Sequence, residues 1–139
     1  MLSLRPTALL WAAFRGAVGN QLPVILALIS AGADVNAVTG AGDSTVLMLA
    51  VQAGIDVLVR ALVDHGAEVD RTADEVTPLM VAARDGNTQI VRTLLEFGAD
   101  PSIRAGKYTA ADYAWHGGHD QLAQLLKSYA GTPHNDRQS

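Results

Sequence analysis

The sequence predicts an all-α fold: a solenoid of four helix-turn-helix repeats joined by β-hairpin-like loops. Three observations carry this expectation. Four segments open alike, at Thr7 (TALLWAAFRG), Thr45 (TVLMLAVQAG), Thr77 (TPLMVAARDG) and Thr109 (TAADYAWHGG). The last three of these threonines stand 32 residues apart. Each opening segment is followed by a second apolar stretch that closes on glycine, at Gly32, Gly66, Gly98 and Gly131. Self-similarity at a fixed period of this length marks stacked units, none of which can bury its apolar face alone.

Each position in the unit has a physical reason. The threonine is a helix N-cap whose side-chain oxygen accepts from an orphan amide of the first turn. Pro78 takes the first helical position, where a missing N–H costs nothing. The small pairs Ala12-Ala13 and Ala82-Ala83 let a neighbouring helix approach closely. Gly16, Gly54, Gly86 and Gly118 end the first helix in a left-handed residue. Ile90, Val91, Leu94 and Leu95 then give the second helix one buried stripe. Gly32, Gly66 and Gly98 end that helix in the same way.

The repeats are placed at 7–36, 37–70, 71–102 and 103–131. Together they form one domain over 1–131, followed by a polar, disordered tail at 132–139 (TPHNDRQS). Repeat one is longer: Thr7 and Thr45 are 38 residues apart. Four of the extra residues fall in AVGNQLP, between its two helices, and two in the loop AVTGAGDS. In repeat four, Asp112, Gln121, Gln124 and Lys127 break up the apolar surface, as an end cap requires.

Composition narrows the function. The chain has 139 residues, is 49% hydrophobic and 5% aromatic, and carries a formal charge of −4. It has no basic field of the kind that holds nucleic acid. It has no cysteine, which removes disulfides, thiolate catalysis and cysteine-ligated zinc, and fits a cytoplasmic location. No apolar run approaches a membrane span. Leu2, Leu4 and the run Ala8 to Phe14, with Arg5 in front, share the outline of a signal peptide. That run is short and is cut off at Arg15, and the first repeat accounts for it residue by residue.

The segment TPLMVAARDGNTQIVRTLLEFGADPS (77–102) resembles the ankyrin repeat, whose signature T-P-L-H-x-A recurs at a period near 33. The resemblance extends over residues 7 to about 131. There are departures. The usual His is Leu10, Met48, Met80 or Asp112. The Gly two places before the Thr is Asp43, Glu75 or Lys107. The period is one residue short, which implies tighter hairpin tips.

Nothing in the sequence assembles an active site, and no cofactor or metal is expected. His116 and His119 are three apart with Asp112 nearby, yet Gly117-Gly118 ends the helix between them and no third ligand has a fixed place. His119 stands where this family commonly carries a structural His, equivalent to Asn87. The glycines of GAVGNQ and GAG follow no strand and open no helix, so a phosphate loop is excluded. Asp74-Glu75 reads as a solvated loop tip.

The resemblance implies a non-catalytic protein-binding module that is monomeric when free. It implies a concave face made of hairpin tips and inner helices. At the tips, Val38, Asp43, Ser44, Thr72, Asp74, Glu75, Val76, Arg104, Lys107 and Tyr108 occupy the family's variable positions. On the inner helices they are Phe14, Arg15, Gln52, Arg84, Asp85, Trp115 and His116. Aromatics and Arg are the usual interface anchors. For Trp115, end-cap packing and exposure both remain open, because its equivalents are Ala13, Val51 and Ala83. The early tips are acidic and the last is basic, so a partner protein with a basic patch fits. Two roles follow: an inhibitor or immunity-type protein, or an adaptor that supports an enzyme or stress-response system. Arg60, Arg92 and Lys127 fall on second helices, away from the tips.

Overall fold

The computed structural model describes residues 22–32, 34–36 and 44–131. The first helix of repeat one, Phe14, Arg15, Val38, Asp43 and the tail at 132–139 lie outside the described residues. Seven helices follow in order: α1 (Leu22–Ser30), α2 (Val46–Ala53), α3 (Asp56–Asp64), α4 (Pro78–Asp85), α5 (Thr88–Glu96), α6 (Ala110–His116) and α7 (Asp120–Gly131). Helices α2, α4 and α6 pack side by side in one layer. Helices α1, α3 and α5 pack side by side in a second, and α7 closes on α6. No extended strand forms among the described residues. The loops pair as isolated bridges, Ala73 with Val76 and Ala105 with Tyr108. The fold is an all-α repeat solenoid.

The inner helices begin where the threonines place them. Thr45 Oγ1 accepts the Met48 N–H at 3.1 Å and Thr77 Oγ1 accepts the Met80 N–H at 3.2 Å. Thr45 and Thr77 are themselves buried, so each cap also satisfies amides with little access to water. Such a cap is worth about 1 kcal/mol. Two of the substituted His positions, Met80 and Asp112, keep the reciprocal half of the motif. Met80 Sδ accepts the Thr77 N–H at 3.5 Å, weakly, and the Asp112 carboxylate accepts the Thr109 N–H at 2.9 Å. An imidazole is therefore not needed to hold this turn.

The core is a continuous seam. Leu47, Leu58, Leu62, Leu79, Met80, Ile90, Leu94 and Leu126 are all but inaccessible to solvent. Small Ala50, Ala82, Ala83 and Ala114 let the inner helices approach. Repeats also interlock at the ends of the inner helices. The Asn87 side chain lies against Gly54 and the His119 imidazole against Gly86. A Cβ on Gly86 would stand 2.4 Å from the His119 ring, and both glycines are left-handed, at φ 75° and 73°. Glycine is thus favoured at both positions for its dihedral, and at Gly86 also for the space it leaves.

Polar ties join the second helices and the loops after them. Arg60 Nε donates to Asp56 at 2.9 Å, and its terminal nitrogen reaches Thr93 Oγ1 at 3.1 Å and Glu96 at 3.3 Å. The Thr93 hydroxyl donates to Asp56 at 2.6 Å. Burial opposes ionisation of Asp56, but the Thr93 and Arg60 hydrogen bonds outweigh it and hold the carboxyl below its ordinary value. Arg60 therefore fastens one repeat to the next and is no idle surface charge.

A second tie differs between repeats. Asn36 donates to the Gly66 carbonyl at 3.1 Å and accepts the Glu68 N–H at 2.8 Å. Asp70, its equivalent, accepts the Asp100 N–H at 3.1 Å. An ionised carboxylate has no proton to offer a carbonyl. Burial raises the Asp70 pKa, with the Asp100 carboxylate adding to the rise and the Asp100 N–H opposing it.

The sign of the pH dependence follows. A raised native pKa means that the folded state holds its proton where the unfolded chain has released it. This contribution is fullest below the ordinary value of 3.8 and is lost as pH rises through the native pKa. We expect Asp70→Asn, which restores a donor and removes the half-buried charge, to stabilise the protein at pH 7 by about 1 kcal/mol. The gain should shrink as the pH is lowered through the Asp70 titration. Urea unfolding of both proteins across pH checks this. A destabilised or pH-independent difference would contradict it.

Candidate functional site

The residues expected to bind a partner fall into three groups. Phe14, Arg15, Val38 and Asp43 lie outside the described residues. Ser44 and Val76 are half-buried, and Val76 packs against the core while its backbone closes a tip. Gln52, Thr72, Asp74, Glu75, Arg84, Asp85, Arg104, Lys107, Tyr108, Trp115 and His116 are exposed.

The tip at Asp74-Glu75 is a two-residue turn. It is closed by the Ala73 N–H on the Val76 carbonyl and the reverse bond, at 3.0 and 3.1 Å. Both central residues are left-handed, at φ 54° and 69°. That pattern matches the hairpin turn that ordinarily selects Asn-Gly. Two non-glycine residues there cost of order 1 kcal/mol each. The arrangement is steadied from the next repeat, where the Gly106 N–H donates to Glu75 Oε1 at 3.2 Å. Glu75 thus spans two tips and has part of its carboxylate engaged.

The last tip, that of repeat four, is basic and aromatic. Arg104 donates to the Lys107 carbonyl at 3.3 Å. Lys107 Nζ stands 5.5 Å from the centre of the Tyr108 ring, and Tyr108 meets His116 edge to face, with ring centres 5.3 Å apart. Tyr108 remains 40% exposed. A groove of about 470 Å³ opens beside it, lined by Arg84, Tyr108, Tyr113, His116 and Gly117. It joins the end of α4, the last tip and α6. Arg84 Nε lies 3.5 Å from Asp85 in an exposed pair.

Arg84, Tyr108 and His116 thus share a groove although they lie far apart in the chain. Tyr113, absent from the expected set, completes it. Its spacing of three from His116 and four from Gly117 puts all three on one helix face, and that spacing was the available signal. Trp115 is 59% exposed and does not line the groove. Its register equivalents Val51 and Ala83 are buried, and among the described residues no following repeat covers Trp115.

The fold, the Thr caps and the glycine-ended helix pairs all recur, and a model of the family described as "Ankyrin repeats (3 copies)" matches residues 9–105 and 47–138. The chain belongs to the ankyrin-repeat family. No match was found among curated proteins. Ankyrin repeats are in general protein–protein interaction modules, typically without catalytic activity. Among the described residues, no helix is long and apolar enough to cross a membrane. Nor does any group of three or more His, Cys, Asp or Glu side chains converge as a metal site does.

The two histidines have separate surroundings in this ankyrin chain. His119 rests on Gly86 and Gly117, and His116 faces Tyr108. We therefore expect a strong chelator to leave the melting temperature unchanged. A fall that zinc restores would make the histidines ligands after all.

Proposed function

We propose that this ankyrin chain binds a partner protein stoichiometrically through the face formed by its hairpin tips and inner helices, and catalyses nothing itself. The observation that carries the reading is Tyr108. It is a large aromatic that meets His116 edge to face with the Lys107 ammonium near its ring, beside a groove, with much of its surface left in water. Tyr flanked by Arg is the composition of an interface anchor. The residues proposed for the contact are Asp74, Glu75, Asp85 and Tyr108 at its centre, with Gln52, Thr72, Arg84, Arg104, Lys107 and His116 around them.

The acidic tips favour a partner that presents a basic patch, which they would steer into place. The overall charge of −4 supports the same sign. The form this takes in our reading is a blocking protein of the inhibitor or immunity type. An adaptor would use the same face and leave its partner active, so the partner's activity in the complex separates the two roles. The chain is taken to act as a monomer in the cytoplasm, without nucleic acid or membrane.

With a partner captured from the native host, the test compares two folded variants. One is Asp74→Asn, Glu75→Gln, Tyr108→Ala, in which the glutamine retains an acceptor for Gly106. The other is Arg92→Ala, Lys127→Ala on the second helices. Arg60 is left intact because it bonds to Asp56, Thr93 and Glu96. The first variant is expected to weaken binding at least about tenfold, the loss of one anchor residue. Tyr108→Ala should mainly speed dissociation, and the carboxylate changes should mainly slow association. Loss of binding in the second variant alone would refute the proposed face.

A further inference from the structure

We infer that the groove between α4 and α6 receives an acidic side chain of the partner, with that residue's apolar neighbours lying against Tyr108 and Tyr113. The inference rests on the reading of this face as the protein-binding one, and it names the chemistry that one part of the face accepts.

The lining decides the sign. Arg84, Tyr108, Tyr113, His116 and Gly117 line the groove, and none of them is a carboxylate. All four side chains bear hydrogen-bond donors: guanidinium N–H groups, two phenol hydroxyls and an imidazole N–H. Lys107 adds an ammonium group over the Tyr108 ring, and Arg104 is tethered to the same tip. Two neighbouring carboxylates already accept hydrogen bonds from within the chain. Asp112 accepts from both the backbone and the hydroxyl of Thr109. Glu75 accepts from Gly106.

Asp85 is the one carboxylate beside Arg84, and it touches only Nε, at 3.5 Å and in the open. An exposed pair of this kind is worth little, so the remaining guanidinium N–H groups stay available for a two-point hydrogen bond to an incoming carboxylate. A lysine entering the same groove would meet Arg84 and Lys107 with no lining acid to offset them. The face is therefore two-signed: acidic at Asp74, cationic and aromatic at the groove. A partner that fits it carries a basic patch and, beside it, an acidic residue among apolar ones.

The test uses the full chain and four capped peptides that share one leucine-flanked frame. Their central pair is Glu-Glu, Gln-Gln, Lys-Lys or phosphoserine-phosphoserine. Amide NMR shifts locate each peptide and titration gives its affinity. The glutamate peptide is expected to move the Tyr108, His116 and Gly117 amides and to bind about tenfold more tightly than its glutamine counterpart. Arg84→Gln with Lys107→Gln, checked for an unchanged melting temperature, should abolish that preference.

The inference is overturned if the glutamate peptide leaves the groove amides unmoved or if the glutamine peptide binds equally well. A preference that survives the double variant overturns it too. Binding of the phosphoserine peptide without the glutamate one would also overturn it, reassigning the groove to phosphate. If the lysine peptide moves the Asp74, Glu75 and Asp85 amides while the groove stays silent, the binding face stands and this inference falls. If the glutamate peptide instead moves amides around Arg92 and Lys127, both fall.

Discussion

The residue just before each of the last two second helices, Asn87 before α5 and His119 before α7, is seated on the glycine that ends the inner helix of the repeat before it. Asn87 sits against Gly54, and His119 sits against Gly86 with no room for a Cβ between them. We take this seat as what fixes the distance and rotation from one repeat to the next. In the register it accompanies, the buried seam closes with Leu79, Met80, Ile90 and Leu94 all enclosed. The polar ties between repeats form in the same register: Arg60 to Thr93 and Glu96, Asn36 to Gly66 and Glu68, Asp70 to Asp100. In a stack of short helices, stability is largely a sum of such neighbour terms.

The candidate site inherits its geometry from the same register. Arg84 ends α4, while Tyr108 and His116 belong to the following repeat. Gly117 lies directly on the Arg84 carbonyl, where a Cβ would stand only 2.5 Å away, and His119 packs beside both Gly117 and Gly86; this close approach brings the end of α6 to the end of α4 at the groove. The Glu75 to Gly106 bond couples the tips in the same direction. It helps to hold two left-handed residues where Asn-Gly would sit without strain. The stack thus supplies a firm base for exposed aromatics and charges, and a fixed ring costs less entropy to bury against a partner than a mobile one.

Much of the fold was legible because the repeating residues have backbone reasons to be where they are. Thr caps, Pro78 and left-handed glycines act within a few residues of themselves, so a single repeat displays them. The substitutions at Met80 and Asp112 were legible as departures, but their outcome was not. A thioether and a carboxylate each accept the Thr N–H that the motif requires. Arg60 falls on a second helix, away from the tips, but its ties were not legible because its partners Thr93 and Glu96 lie a full repeat away. The groove was partly visible: Arg84, Tyr108 and His116 came from register, and Tyr113 was missed because its signal is a helical spacing that register alone does not weigh. Trp115 stood one place off the exposed register, at the position of buried Val51 and Ala83. Its exposure reflects what packs beyond α6, which local pattern does not encode.

Native-state hydrogen exchange on His119→Ala tests the dependence of the site on the seat most directly. The substitution empties the space over Gly86 and leaves the helices, tips and groove side chains chemically intact. If the seat sets the register, amides of the last repeat should exchange at least about tenfold faster, the equivalent of 1.4 kcal/mol. These include Tyr108 on Ala105 and Gly117 on Tyr113. The amides of α2 and α3 should be little changed. Unchanged protection at Tyr108 and Gly117, or an equal loss across every helix, would contradict the account.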